Sequence, residues 1–270
     1  MTKRRKLGRD DREGEDAVPL AGAHDRKTPL TADESQRILL YMKDQLTLQV
    51  IARIRSDFTS KFGIPRQSNL VPDQEAVIVF EPEYRDENAL RGMDGYSHLW
   101  IIWGFSEVKQ EGWSPMVKPP KLGGNKRMGV FATRSPFRPN PIGLSSVRLV
   151  RLEKRPNLGT VLVVSGADLM DGSPIYDIKP YLSFTDSHPD ARDGFAADHV
   201  EERLPVEFPP ELLARFPREK RPALLASLSL DPRPGYLTGR NDLYGFPYAG
   251  KDVRFYVEDG VVKVFDVVEP

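Results

Sequence analysis

The chain of 270 residues has no cysteine, which excludes disulfides, thiolate metal sites and a cysteine nucleophile. Histidine is scarce: His24, His98, His188 and His199 are too scattered to suggest a metal cluster, so no metal is expected. No run of 18 apolar residues occurs, so no membrane-spanning segment is expected. The basic N-terminus, Met1 to Lys6, has no apolar stretch behind it and does not read as a secretory signal; the expected location is the cytoplasm. Also missing are a Gly-x-Gly-x-x-Gly fingerprint, a P-loop, a Gly-x-Ser-x-Gly elbow and a His-Glu-x-x-His pair. No dinucleotide-type Rossmann site is therefore signalled. Formal net charge is zero, so any attraction to nucleic acid must come from a local patch.

One such patch is marked by a local absence. No Asp or Glu occurs between Gly112 and Leu152, whereas Lys118, Lys121, Lys126, Arg127, Arg134, Arg138, Arg148 and Arg151 do. Within it lies 129–143, Gly-Val-Phe-Ala-Thr-Arg-Ser-Pro-Phe-Arg-Pro-Asn-Pro-Ile-Gly, which starts like a strand at Val130 and Phe131. Pro136, Pro139 and Pro141 then stiffen it, since each fixes its own φ and restricts the residue before it. A stiff loop presenting Arg134, Arg138 and Asn140 suits an anionic or nucleotide-like ligand. The competing reading is a proline-rich turn with solvated arginines.

The first 46 residues read as a disordered extension with a short helix, begun by a capping box at Thr31 and Glu34. Short β-rich runs follow at 48–54, 76–80, 98–103, 142–152, 160–165 and 175–182, separated by Gly and Pro turns. This pattern predicts a mainly β fold, a sandwich or barrel, over 47–185. Residues 186–209 read as a linker and 210–270 as a small α+β domain. Helical stretches are expected at 211–216 and 223–228, and a hairpin is expected around Asp259-Gly260.

A second chemistry-bearing stretch is 168–181, with Asp168, Asp171 and Asp177, Lys179 and two tyrosines. The turn Asp171-Gly172-Ser173-Pro174 offers backbone N–H groups to a ligand. Asp177 and Lys179 share a strand face, and ordinary turn chemistry with a surface ion pair competes with a site there. His98, heading an apolar strand, reads equally as a packed histidine or a ligand contact. Arg66-Gln67 in the loop 58–67 is a weak signal alone.

Together, Phe62-Gly-Ile-Pro-Arg-Gln67, Ser97-His-Leu-Trp100, Lys118-Pro-Pro-Lys-Leu-Gly-Gly124, the block 127–143, and Asp168-Leu-Met-Asp-Gly-Ser-Pro through Leu182 resemble the TsaA-like family. This family includes the TrmO-type tRNA adenine-N6 methyltransferases. The likeness runs over about 48–184 and returns at Asp231-Pro-Arg-Pro-Gly-Tyr236. It implies a non-Rossmann β-barrel that binds S-adenosylmethionine, works as a homodimer, and methylates N6 of threonylcarbamoyladenosine beside the tRNA anticodon. By resemblance the donor pocket comprises Arg66, Gln67, His98, Leu99, Arg134, Leu144 and the turn Asp171, Gly172, Ser173 and Pro174. Arg233 and Tyr236 would help hold tRNA, with Lys121, Lys126, Arg138 and Asn140 meeting its anticodon stem-loop. Asp171, Asp168 or Asp177 would serve as base. Two alternatives remain: a sensing or RNA-binding barrel without turnover, and a methyltransferase of small molecules.

Overall fold

The computed structural model describes residues 46–107, 113–119, 126–199, 203–233 and 242–269. The expected capping box and N-terminal helix, Lys121 and Tyr236 lie outside them. Residues Leu48–Pro270 pack as one compact unit. The fold is mainly β, as the short β-rich runs separated by Gly and Pro turns predict.

Six strands close on themselves: β1 (Ala52–Arg55), β2 (Glu75–Phe80), β3 (His98–Gly104), β6 (Ile142–Arg155), β7 (Gly159–Ser165) and β8 (Pro174–Pro180). Their order is β1-β2-β7-β6-β3-β8, and β8 returns to β1 through Ala52 opposite Ile175. Closure removes the free edges that an open sheet would expose. The alternation of β3 explains its fit: Leu99, Ile101 and Trp103 point inward, whereas His98, Trp100 and Ile102 take the other face. The 14-residue β6 serves two partners, β3 along its first half and β7 along its second. The barrel interior is largely aliphatic, with Ile54, Ile78, Leu99, Ile101, Leu162, Val164 and Ile175 among its buried members.

Between β3 and β6 a two-stranded flap, β4 (Met116–Val117) with β5 (Met128–Gly129), leads into the proline loop. Val130–Ala132 is a 3₁₀ turn, not the strand the sequence suggests. Local bonds explain the difference: the Thr133 amide and hydroxyl both donate to the Val130 carbonyl, which curls the chain.

A second sheet has the order β10-β11-β12-β9, with β9 (Val206–Glu207), β10 (Tyr244–Tyr248), β11 (Lys251–Glu258) and β12 (Val261–Val268). The expected hairpin joins β11 to β12 through Asp259 and Gly260, both with positive φ as such a turn requires. Strand β9 comes from the stretch that reads as a linker and pairs in parallel with β12. Strand β10 was hidden by Gly245 and Pro247, residues that an edge strand tolerates. Helices α1 (Ser183–Asp186), α2 (Pro210–Leu213) and α3 (Arg221–Ser229) complete the unit. The core beneath this sheet holds Phe216, Phe246, Tyr248 and Phe255, and it takes in Phe58 and Val71 from the β1–β2 loop.

Candidate functional site

Strand register places three loops at one end of the barrel. There β1, β3 and β7 finish while β2, β6 and β8 begin. The loops are 56–74, 105–141 and 166–173, and they carry the Arg66-Gln67 pair, the proline loop and the Asp168–Ser173 turn.

The proline loop holds its own shape. The Ser135 amide donates to the Thr133 hydroxyl and the Phe137 amide to the Ser135 hydroxyl. Arg138 folds back, its Nη1 donating to the Thr133 carbonyl at 3.0 Å, so it braces the loop more than it reaches outward. Arg134 remains exposed and donates to Gln67 Oε1, while Gln67 Nε2 donates to the Arg66 carbonyl at 2.6 Å. Arg66 Nη2 in turn donates to the Arg233 carbonyl at 3.2 Å.

Asp168 lies within reach of the Arg134 charge. Its Oδ1 accepts from Ser145 Oγ at 2.6 Å, and Ser145 Oγ accepts from Trp103 Nε1 at 3.0 Å. Burial pushes the Asp168 carboxyl up from its ordinary value, opposed by the Ser145 hydroxyl, the Arg134 charge and the Ser68 backbone. Gly143 makes room for Trp103: a Cβ there would lie 2.2 Å from the indole. Sequence reasoning missed Ser145, Trp103 and Ser68. A signal existed, because Ser145 is a polar residue at an inward position of β6.

The turn Asp171–Pro174 is built differently. The Asp171 amide donates to the Phe58 carbonyl at 2.8 Å, and Asp171 Oδ1 accepts from the Ser56 amide at 3.1 Å. The Gly172 amide donates to the Ile54 carbonyl and its carbonyl accepts from Arg53, while Ser173 is buried. Asp171 therefore anchors the turn to β1, with Arg55 3.6 Å away. Asp177 pairs with Lys179 at 2.8 Å, the surface ion pair that competed with a site.

His98 lies on the outer face of β3 beside Tyr181, at 6.1 Å between rings, while Leu99 is fully buried in the core. Leu144 is exposed on β6, opposite Ile102. Lys126 and Asn140 are exposed. Arg233 is not: its guanidinium forks onto Asp231 at 2.8 and 2.9 Å and is buried. The basic run is also partly neutralised, since Arg151 meets Glu153 and Glu75.

Among the described residues, no group of three or more His, Asp or Glu is disposed to hold a metal ion. Nor is any helix among them long and apolar enough to cross a membrane.

The family model for the tRNA-methyltransferase O N-terminal domain matches residues 53–187. A protein of Escherichia coli strain K12, named tRNA (adenine(37)-N6)-methyltransferase, is 44% identical over 162 residues, 60% of this chain and 68% of that one. One of the same name from Eikenella corrodens is 57% identical over 102 residues, 38% of this chain and 57% of that one. The crystal structure of TrmO from Pseudomonas aeruginosa aligns with a TM-score of 0.67 at 32% identity, covering 83% of this chain and 98% of that one. With half of its length inside that model, and over two thirds of the Escherichia coli relative spanned, the chain belongs to the tRNA-methyltransferase O family.

Proposed function

We propose that the chain is an S-adenosylmethionine-dependent tRNA methyltransferase acting on N6 of the adenosine at position 37. The observation that carries this is the convergence of Arg66, Gln67, Arg134 and Asp168 at one barrel rim, in a chain of this family. The relatives named tRNA (adenine(37)-N6)-methyltransferase support the reaction. A Pseudomonas aeruginosa relative named as a putative S-adenosylmethionine-dependent methyltransferase, 41% identical over 150 residues, supports the donor.

The side chains fit that donor. Two guanidinium forks, Arg66 and Arg134, suit its carboxylate, and the Asp168 carboxylate suits an ammonium or a hydroxyl. S-adenosylmethionine supplies an electrophilic methyl on a sulfonium sulfur. The protein contributes placement and charge: the three loops fix the direction of approach, and the rim arginines hold anionic groups. The acceptor in our reading is the ureido-like N–H of threonylcarbamoyladenosine, whose lone pair is delocalised. Removing that proton assists attack, and Asp168 is the base we favour, because a carboxyl with a raised pKa holds a proton more readily. Asp171 is engaged as a turn anchor and Asp177 as an ion-pair partner.

The exposed Lys126 and Arg127 and the exposed aromatic Phe137 suit the phosphates and unstacked bases of an anticodon loop. Trp113, Phe131, Ile142 and Leu144 are large exposed apolar side chains on the flap, the proline loop and β6; they support a homodimer. A cytoplasmic location accords with a tRNA substrate.

The test is incubation with labelled S-adenosylmethionine and one tRNA prepared with and without the threonylcarbamoyl group, followed by nucleoside mass spectrometry. Methyl on the modified sample alone is the expected result. Arg134→Ala should lower that transfer about 100-fold or more while tRNA still binds. Donor binding without methyl on either sample would favour a sensing barrel.

A further inference from the structure

Arg66 belongs to the barrel rim by sequence, yet the ground it stands on is the second sheet. Phe62 stacks on Tyr244 of β10, with ring centroids 6.3 Å apart and planes at 14°. Gly63, at φ +89°, lies flat on Phe246; a Cβ there would fall 2.4 Å from the ring. Phe62 and Ile64 both pack against the aromatic core of that sheet. The loop thus reaches Arg66 already shaped by the C-terminal part of the chain.

The last link is a clamp at the end of helix α3. The Asp231 amide donates to the Leu228 carbonyl, and Asp231 takes φ +48°, a conformation Asp tolerates better than most residues. From there its carboxylate accepts the Arg233 amide at 3.3 Å and both arms of the Arg233 guanidinium. A two-point fork of this kind fixes direction as well as distance. Held in this way, the Arg233 carbonyl accepts from Arg66 Nη2. A buried arginine spent on a neighbouring carboxylate has little left for RNA phosphate, but its backbone aims a second arginine.

We infer that Asp231 is a positioning residue for the donor site: through Arg233 it fixes the Arg66 guanidinium, so the C-terminal module shapes S-adenosylmethionine binding. This rests on the reading that places the donor beside Arg66.

The test is a double-mutant cycle in the full chain, with Asp231→Ala and Arg66→Ala made singly and together. The readout is S-adenosylmethionine affinity by calorimetry without tRNA. Each single change should weaken binding about 3- to 10-fold, the scale of one lost hydrogen bond. The double variant should bind within about 2-fold of Arg66→Ala alone, because both remove one interaction. Asp231→Asn, which keeps an oxygen for the Arg233 amide, should show a smaller loss in the same direction and stands in if the alanine variant does not fold. Full donor affinity in both Asp231 variants, with loss in Arg66→Ala, would overturn the inference, as would losses that multiply. An Arg66→Ala protein with full affinity would instead remove the donor from this rim, and the inference with it.

Discussion

Among the described residues, the two hydrophobic cores differ in their share of aromatic rings. The barrel interior is mostly Ala, Ile, Leu and Val, with Trp103 near the rim. The core of the second sheet adds to its valines and leucines a chain of touching rings, Phe58, Phe216, Phe246, Tyr248 and Phe255. A closed barrel is narrow and self-bonded, and branched aliphatic side chains fill it in layers. An open four-stranded sheet with short helices has too little of its own to cover it. It therefore draws Phe58 and Val71 from the barrel's β1–β2 loop. Polar contacts join the two as well: the buried Tyr248 hydroxyl donates to Gln74 Oε1 at 2.9 Å, Gln74 Nε2 donates to Asp57 at 2.8 Å, and Lys220 pairs with Asp57 at 2.6 Å. Burial, and then the Asp57 charge, push the Tyr248 phenol up, so it stays a donor. The second sheet is thus part of the foundation of the rim.

The largest effect is expected from Phe246→Ala. Loss of a fully buried ring should cost about 3–5 kcal/mol. Because the cores share a loop, urea should still unfold the protein in one transition at a lower midpoint. Two separate transitions would mean the sheet stands apart from the barrel. Gly143→Ala probes the barrel side. The added methyl meets the Trp103 indole and should cost about 1–3 kcal/mol by the same assay, displacing the ring that donates to Ser145. Unchanged stability would show that the ring can move freely. Tyr248→Phe should cost about 1–2 kcal/mol, since it leaves Gln74 Oε1 buried without its donor. No change would mean that packing alone joins the two parts.

The smallest effect is a pH dependence. Burial raises the Asp168 carboxyl in the folded protein, so the folded state holds its proton more tightly than the unfolded chain. The stability this gives is complete below the unfolded value of about 4 and is lost as pH rises through the folded pKa. Asp168→Asn should therefore become more stable relative to the parent as pH rises above about 4, read by urea unfolding at several pH values. A gap that does not vary with pH would mean the carboxyl is solvated.

Much was legible from local rules. The β-rich runs announce strands: β3 and β6 alternate in burial as half-buried strands do, whereas β7 stays apolar through its middle as a doubly covered one does. Asp259-Gly260 announces its hairpin for a backbone reason. Where such rules compete with hydrogen bonds from nearby side chains they fail, as at Val130, or where composition hides an edge strand, as at β10. The candidate site was half visible. Arg66, Gln67, Arg134 and Asp168 were named from motifs, whereas Ser145 lies outside them and Asp231 opens a motif from which Arg233 and Tyr236 were singled out instead. Ser145 matters through the strand beside it and Asp231 through the carbonyl of a residue two positions away.

Local sequence dictates the barrel's strand runs, the stiffness of the proline loop and the exclusion of thiolate chemistry. These follow from bonds and dihedral preferences within a few residues. It takes the folded chain to bring three loops to one rim, to lay Arg138 against the Thr133 carbonyl and Arg233 on the Asp231 carboxylate, and to rest the Arg66 loop on the second sheet. Those outcomes depend on the shear of a closed barrel and on contacts between residues far apart in the chain, Arg66 and Arg233 being 167 positions apart. No local pattern encodes such distances.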